Sequence, residues 1–279
     1  MLQKLLLIEL TRLVKNTMLR IELAILAAAV VGMNGILFIA GRIAPENASL
    51  ADAAVGWPGA LEQALGFGSA GGLGGVLMIV LASALMTQSY QWRTLHFWLG
   101  RGAPRGTFLL ARFFSLVLPA LLFAAAALIA GAISSLLIAW VGGRPVFGGP
   151  HLPHTLLAVL RTAYTLLPYA ALALLLGVAT RSTAAAVGIG IGWILLGETV
   201  LAQMLGLIGG MAGAAAKLLP SSMAMSLMRA NSSMVDGAGG MQEAVGASDT
   251  LAAAFGLALY AVLYLAIAAV LLRRQDITG

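Results

Sequence analysis

Long runs of residues without a charge constrain this chain more than any other feature. Four or more of them extend for about 18 to 20 residues, the length at which a helix rising about 1.5 Å per residue crosses about 30 Å of hydrocarbon. Lipid offers no hydrogen bonds to a backbone, so an uninterrupted run of this kind has to satisfy itself as a helix. Only 9% of the 279 residues are charged and 61% are hydrophobic, against about 25% charged in an average soluble domain. A water-facing surface cannot be assembled from so few charges. The chain therefore reads as an all-α polytopic membrane protein.

Six spans are predicted, at about 21–41, 69–87, 108–141, 163–179, 184–207 and 250–272, in a single transmembrane domain covering 1–279. The third is too long for one straight crossing, so it is tilted or preceded by an interfacial turn. A polar stretch with Pro45, Glu46, Asp52, Trp57, Pro58 and Glu62 follows the first span, and the most polar internal segment, 88–106, follows the second. Pro145, Pro150 and Pro153 mark the next loop, and the short link Thr180 to Thr183 joins spans four and five. A Gly-, Ala-, Ser- and Met-rich segment, 208–249, precedes the last span, with short helices expected around Leu218 to Pro220 and Ser222 to Met228 that dip into the outer leaflet. Pro119 and Pro168 fall inside spans as hinges or fixed bends.

Six crossings place alternate loops on one side, and basic residues then assign the sides. Eleven of the sixteen Lys and Arg residues fall with the N-terminus, the 88–106 segment and Arg112 just beyond it, the Arg181 link and the tail carrying Arg273 and Arg274. The richer side is expected to be cytoplasmic, which puts both termini inside. The first twenty residues contain Lys4, Arg12, Lys15 and Arg20 ahead of any long apolar run, unlike a cleaved signal, and are expected to be retained. There are no cysteines, so neither disulfides nor thiolate metal sites exist. The net charge of +6 sits beside the spans, where it orients the chain, and nucleic acid is not an expected partner.

Wound as a helix, residues 1–20 gather Leu2, Leu6, Leu7, Leu10, Leu13 and Val14 on one arc, with Lys4, Glu9, Thr11, Arg12, Lys15 and Asn16 opposite. Such a helix lies in the membrane plane on the cytoplasmic face, as a plain anchor or as a surface that a partner grips. The 88–106 segment is more unusual. Gln91, Trp92, Arg93, Thr94, Leu95, Phe97, Trp98, Arg101, Pro104 and Arg105 make a stretch too apolar for a solvated loop and too charged for a span. Trp and Arg in this density suit a binding hot spot and a membrane interface alike.

The order of residues here resembles ABC exporter permeases of the type-2 family. In those proteins the loop after the second span has a Gly-Thr-Leu element, a Ser-Arg-like turn and a Leu-Leu-x-Lys opening to the third span. Thr94 and Leu95 match the first, Ala103, Pro104 and Arg105 the turn, and Leu109, Leu110, Ala111 and Arg112 the opening. Gln88 or Gln91 replaces the family's acidic residue, and Arg93 stands where Gly is usual. The six-span plan, the amphipathic N-terminal helix and the basic tail fit as well. The resemblance implies that 88–106 is a coupling helix seated in a groove of an ATP-binding subunit. It further implies two such subunits, a second permease copy or paralogue, and a plasma membrane of the bacterial or archaeal inner type.

No Gly-x-x-x-x-Gly-Lys-Ser/Thr motif occurs, so this chain is not expected to bind ATP itself. ATP and magnesium are expected on the partner, and no cofactor on this chain. The Gly71 to Gly75 run lacks the lysine and suits close helix packing or a flexible opening of the span. Glu198 stands as the one carboxylate well inside a span. It suits a translocation path or a hydrogen-bonded structural role. Ala184, Gly188 and Gly192 repeat every four residues on the same span, marking a helix interface within or between subunits. His151 and His154 lack companion ligands and Pro153 interrupts them, so no metal is expected. The predicted function is the permease subunit of an ATP-driven exporter of unidentified substrate, without covalent chemistry. The alternative is a self-sufficient secondary transporter or channel; a membrane enzyme would require clustered polar groups that the sequence lacks.

Overall fold

A computed structural model describes residues 9, 11, 13, 15–43, 54–57, 59–92, 104–142, 152–231 and 247–275. Among them every regular element is helical: α1 Thr17–Ile43, α2 Gly59–Gly68, α3 Leu73–Gln91, α4 Arg105–Ser115, α5 Val117–Gly142 and α6 Leu152–Thr180. The order continues with α7 Thr183–Gly192, a π-helical turn Trp193–Glu198, α8 Thr199–Ile208, α9 Gly210–Ala216, α10 Pro220–Arg229 and α11 Ala247–Arg274. Six helical stretches are long and apolar enough to cross a membrane.

The second and fourth stretches form the interior. α3 buries residues around its whole circumference, including Leu77, Met78, Ile79, Leu81, Leu85 and Met86, as expected of a helix that is apolar on every side. α6 packs against α3, α5, α7 and α11, and so joins most of the bundle. The first span instead buries one stripe, Leu19, Glu22, Leu26, Val30 and Asn34, against α5. There Asn34 donates to Ser134 Oγ at 2.6 Å, which satisfies two polar groups that lipid would leave unpaired.

The second span differs from the expected 69–87 crossing by starting a half-helix earlier. α2 buries Ala60, Leu61, Ala64, Leu65 and Gly68 and runs antiparallel to α5, with Gly68 beside Ala127 and Gly131 beside Ala64. The chain then passes through Ser69–Gly72 and resumes as α3. The glycine run makes this break possible: a Cβ on Gly72 would overlap the Phe67 carbonyl, and one on Gly74 the Gly68 carbonyl. α3 also runs on through Gln91, so Gln88 to Gln91 belong to the span and not to the loop. The third stretch breaks at Leu116, where amphipathic α4 gives way to the uncharged α5.

Long-range bonds collect chain segments at one end of the bundle: the residues around Glu9, the ends of α3 and α6, the start of α4 and the end of α11. The Arg181 link lies there too, over Tyr90.

Candidate functional site

The two edges of the 93–103 segment lie at that shared end. Gln91 and Trp92 close α3 and are exposed, Trp92 at 62%. Pro104 precedes α4, where its rigid φ suits a helix start. Arg93, Thr94, Leu95, Phe97, Trp98 and Arg101 lie outside the described residues.

Three side chains fasten these edges to the bundle. Arg105 Nη1 donates to the carbonyl oxygens of Leu272 and Arg273, each at 2.7 Å, and of Gln275 at 3.0 Å. The last carbonyls of α11 have no partners within their own helix and carry the negative end of its dipole, so a guanidinium is a suitable cap. Tyr90 donates its phenolic proton to Gln275 Oε1 at 3.0 Å, and Gln275 Nε2 donates to the Val178 carbonyl at 2.9 Å. Arg181 stacks over the Tyr90 ring, 5.8 Å from its centroid, in the left-handed region at φ 54°. Outside glycine and asparagine such a conformation is uncommon. The ends of α3, α6 and α11 and the start of α4 are thus one hydrogen-bonded unit.

A second cluster lies deeper. Arg112, 1% exposed, donates to the Leu85 carbonyl at 2.8 Å, and also bonds Ser89 and the carboxylate of Glu9. Its guanidinium lies 5.7 Å from the Phe108 ring centroid. The buried charge is therefore paired and hydrogen-bonded, which is how such a charge is tolerated. This arrangement corrects the expected water-facing position of Glu9, which is buried. The polar arc of a helical wheel faces water only when no partner awaits it, and Arg112 is that partner. The N-terminal segment is also not one continuous helix: it breaks at Lys15 and Asn16, and the Asn16 side chain accepts from the Met18 N–H at 3.0 Å. Lys15 is exposed; Lys4 and Arg12 lie outside the described residues.

Toward the opposite end, Glu198 is 1% exposed on the π-helical turn. Its Oε2 accepts from Tyr169 Oη at 2.8 Å and from the Ser221 N–H at 2.9 Å. It thereby joins the fifth span to the fourth and to the first turn of α10. Such π-helical turns occur often where a helix carries function. Ala184 and Gly188 are exposed and Gly192 is half-buried; a Cβ on either glycine would meet nothing within 4 Å. The stripe faces away from the bundle, whereas Gly190 packs on Ile79.

Glu198 lies well inside its span, and a second buried carboxylate stands near the start of the first one. Glu22 is 4% exposed, and neither of its oxygens has a hydrogen-bond partner. The signal for it is its place in the stripe that also holds Leu19, Leu26 and Val30. Among the described residues no three His, Asp or Glu side chains gather as metal ligands. His154 is exposed, and His151 lies outside the described residues.

Comparison with known proteins gives one family: a model described as a protein of unknown function, DUF2705, matches residues 69–278. No curated protein matches the chain.

Proposed function

The chain belongs to the DUF2705 family, whose description assigns no activity, and we propose from its own residues that it is the membrane-spanning permease subunit of an ATP-driven exporter of the ABC type. The observation that supports this most is the fastening of the 93–103 segment. Its flanks, Tyr90 and Arg105, are tied to Gln275 and through it to Val178, so a force on the segment reaches the second, third, fourth and sixth spans together. A loop hanging free between two helices would move alone. The apolar and cationic character of Trp92, Arg93, Leu95, Phe97, Trp98 and Arg101 suits a protein groove, as in the type-2 exporters that the sequence resembles.

In this reading both termini and the segment face the cytoplasm, where the basic residues concentrate. Two ATP-binding subunits carry the ATP and magnesium. A second permease copy or paralogue packs on the outward stripe of Ala184, Gly188 and Gly192, and the pathway runs along that interface. ATP binding shifts the population between two arrangements of the spans. Glu198 acts as a pivot, holding α10 and the fourth span to the fifth at its π-helical turn.

Purification in mild detergent tests this: an ATP-binding subunit should accompany the chain, and replacing Trp92, Arg93 or Leu95 should weaken ATP hydrolysis coupled to transport while membrane insertion persists. Unchanged coupling in all three variants would remove the assignment. The two carboxylates buried within the apolar spans, Glu22 and Glu198, favour a second reading as an ion-coupled secondary transporter. Gradient-driven uptake by the purified chain alone would establish that reading instead.

A further inference from the structure

Four arginines from three separate elements meet at the fastened end of the bundle. Arg105 reaches the carbonyls of Leu272 and Arg273, which brings its guanidinium to the turn bearing Arg273 and Arg274. Arg181 lies over Tyr90, whose hydroxyl bonds Gln275, the next residue along. Arg181, Arg273 and Arg274 are exposed. Among the described residues the ion pair found is Arg112 with Glu9, so no described carboxylate balances this group. Asp276 follows in sequence, and counting it against the four arginines still leaves three positive charges.

The depth of the group is set by the spans themselves. Arg105 opens one apolar stretch, Arg181 directly follows another that ends at Thr180, and Arg274 is the last residue of a third. Side chains at these positions lie where hydrocarbon gives way to headgroups. Like charges gathered at the rim of a low-dielectric slab repel one another, and an anion at headgroup depth relieves that repulsion. Guanidinium forks match phosphate oxygens in geometry as well as charge. Arg181 is held there in a backbone conformation that arginine seldom adopts.

We propose that Arg181, Arg273 and Arg274, backed by Arg105, form a binding site for the phosphate headgroup of an anionic phospholipid in the leaflet at this end of the bundle. Arg105 is committed to the α11 carbonyls and contributes charge; the exposed three make the contacts. The site is independent of the exporter assignment, since it needs only a span-forming chain in a bilayer.

The test is a titration of the purified full chain in detergent with phosphatidylglycerol or phosphatidylcholine, with bound lipids counted by native mass spectrometry. Each arginine near an anionic membrane surface contributes a factor of about 5 in affinity, so Arg181→Gln with Arg274→Gln should weaken phosphatidylglycerol binding by about 30-fold and leave phosphatidylcholine unchanged. A control that removes equal charge from the far end, Arg42→Gln with Lys217→Gln, should retain the preference. Equal binding of both lipids by the unaltered chain would overturn the proposal, as would an equal loss in the control. Displacement of bound phosphatidylglycerol by inorganic phosphate at millimolar concentration would also overturn it, because the site would then be one for the free ion.

Discussion

Replacing Arg112 with methionine should destabilise the chain by about 3 kcal/mol, through the carboxylate left behind. Methionine keeps much of the apolar stem of the arginine, so little volume is lost. The Leu85 carbonyl retains a bond from Ser89 Oγ at 3.1 Å and is not orphaned. Glu9 is the group that suffers, because it is buried and its ion pair with Arg112 disappears. Removing one partner of a buried pair costs about 3–5 kcal/mol, and the 11% exposure of the Glu9 side chain places this case at the lower end. That is a large part of a total stability of about 5–15 kcal/mol. Combining Arg112→Met with Glu9→Leu exchanges the pair for apolar groups and should restore most of the loss. Equilibrium unfolding of the four proteins in mixed micelles, followed by helical circular dichroism, reads the cycle. A coupling of about 2–3 kcal/mol is expected; additivity within about 0.5 kcal/mol would refute the pairing.

Glu198→Gln keeps an acceptor for Tyr169 and Ser221, whereas Glu198→Leu leaves the buried Tyr169 hydroxyl unpaired at about 1–3 kcal/mol and removes the partner of the half-buried Ser221 N–H; thermal unfolding should separate the two variants, and equal stability would contradict the pivot. Glu22→Met removes a buried carboxyl group without hydrogen bonds and should raise stability by about 1–3 kcal/mol; a loss would mean that Glu22 has a partner in the working protein. Gly190→Leu drives a side chain into Ile79 and should cost about 1–3 kcal/mol. Gly188→Leu points into open space and should leave the single chain stable while reducing cross-linked dimer; dimer yield unaffected by Gly188→Leu would exclude the stripe as the interface.

The six helices long and apolar enough to cross a membrane are legible in the sequence because lipid leaves one solution to an uncharged run of such length: a helix. Their ends are less so. Glu62 and Gln63 read as loop residues, yet α2 includes both because its other face buries Ala60, Leu61, Ala64 and Leu65 against the third span. The glycines of 71–75 announce a special backbone, but whether they serve packing or a break depends on which carbonyls lie beside them. Glu9 sits on the polar arc of a helical wheel, and the partner that turns it inward stands 103 residues away. Arg105 is legible as part of a turn, while its role as a cap on α11 depends on a helix end 167 residues further along. Local periodicity carries no information about such meetings. Glu22 falls one residue inside the expected start of the first span, where an acid ordinarily reaches for water; its place in the buried stripe becomes evident once that face is packed on α5.

The absence of cysteine allows the most direct test of the coupling account, because a single introduced thiol is unique. With Trp92→Cys expressed in its native membrane, a thiol-reactive cross-linker should join the exposed end of α3 to an ATP-binding subunit, with a yield that changes on adding ATP. Labelling of that same position by a membrane-impermeant reagent applied only from outside intact cells would contradict the account, since a segment on the exterior has no ATPase to engage.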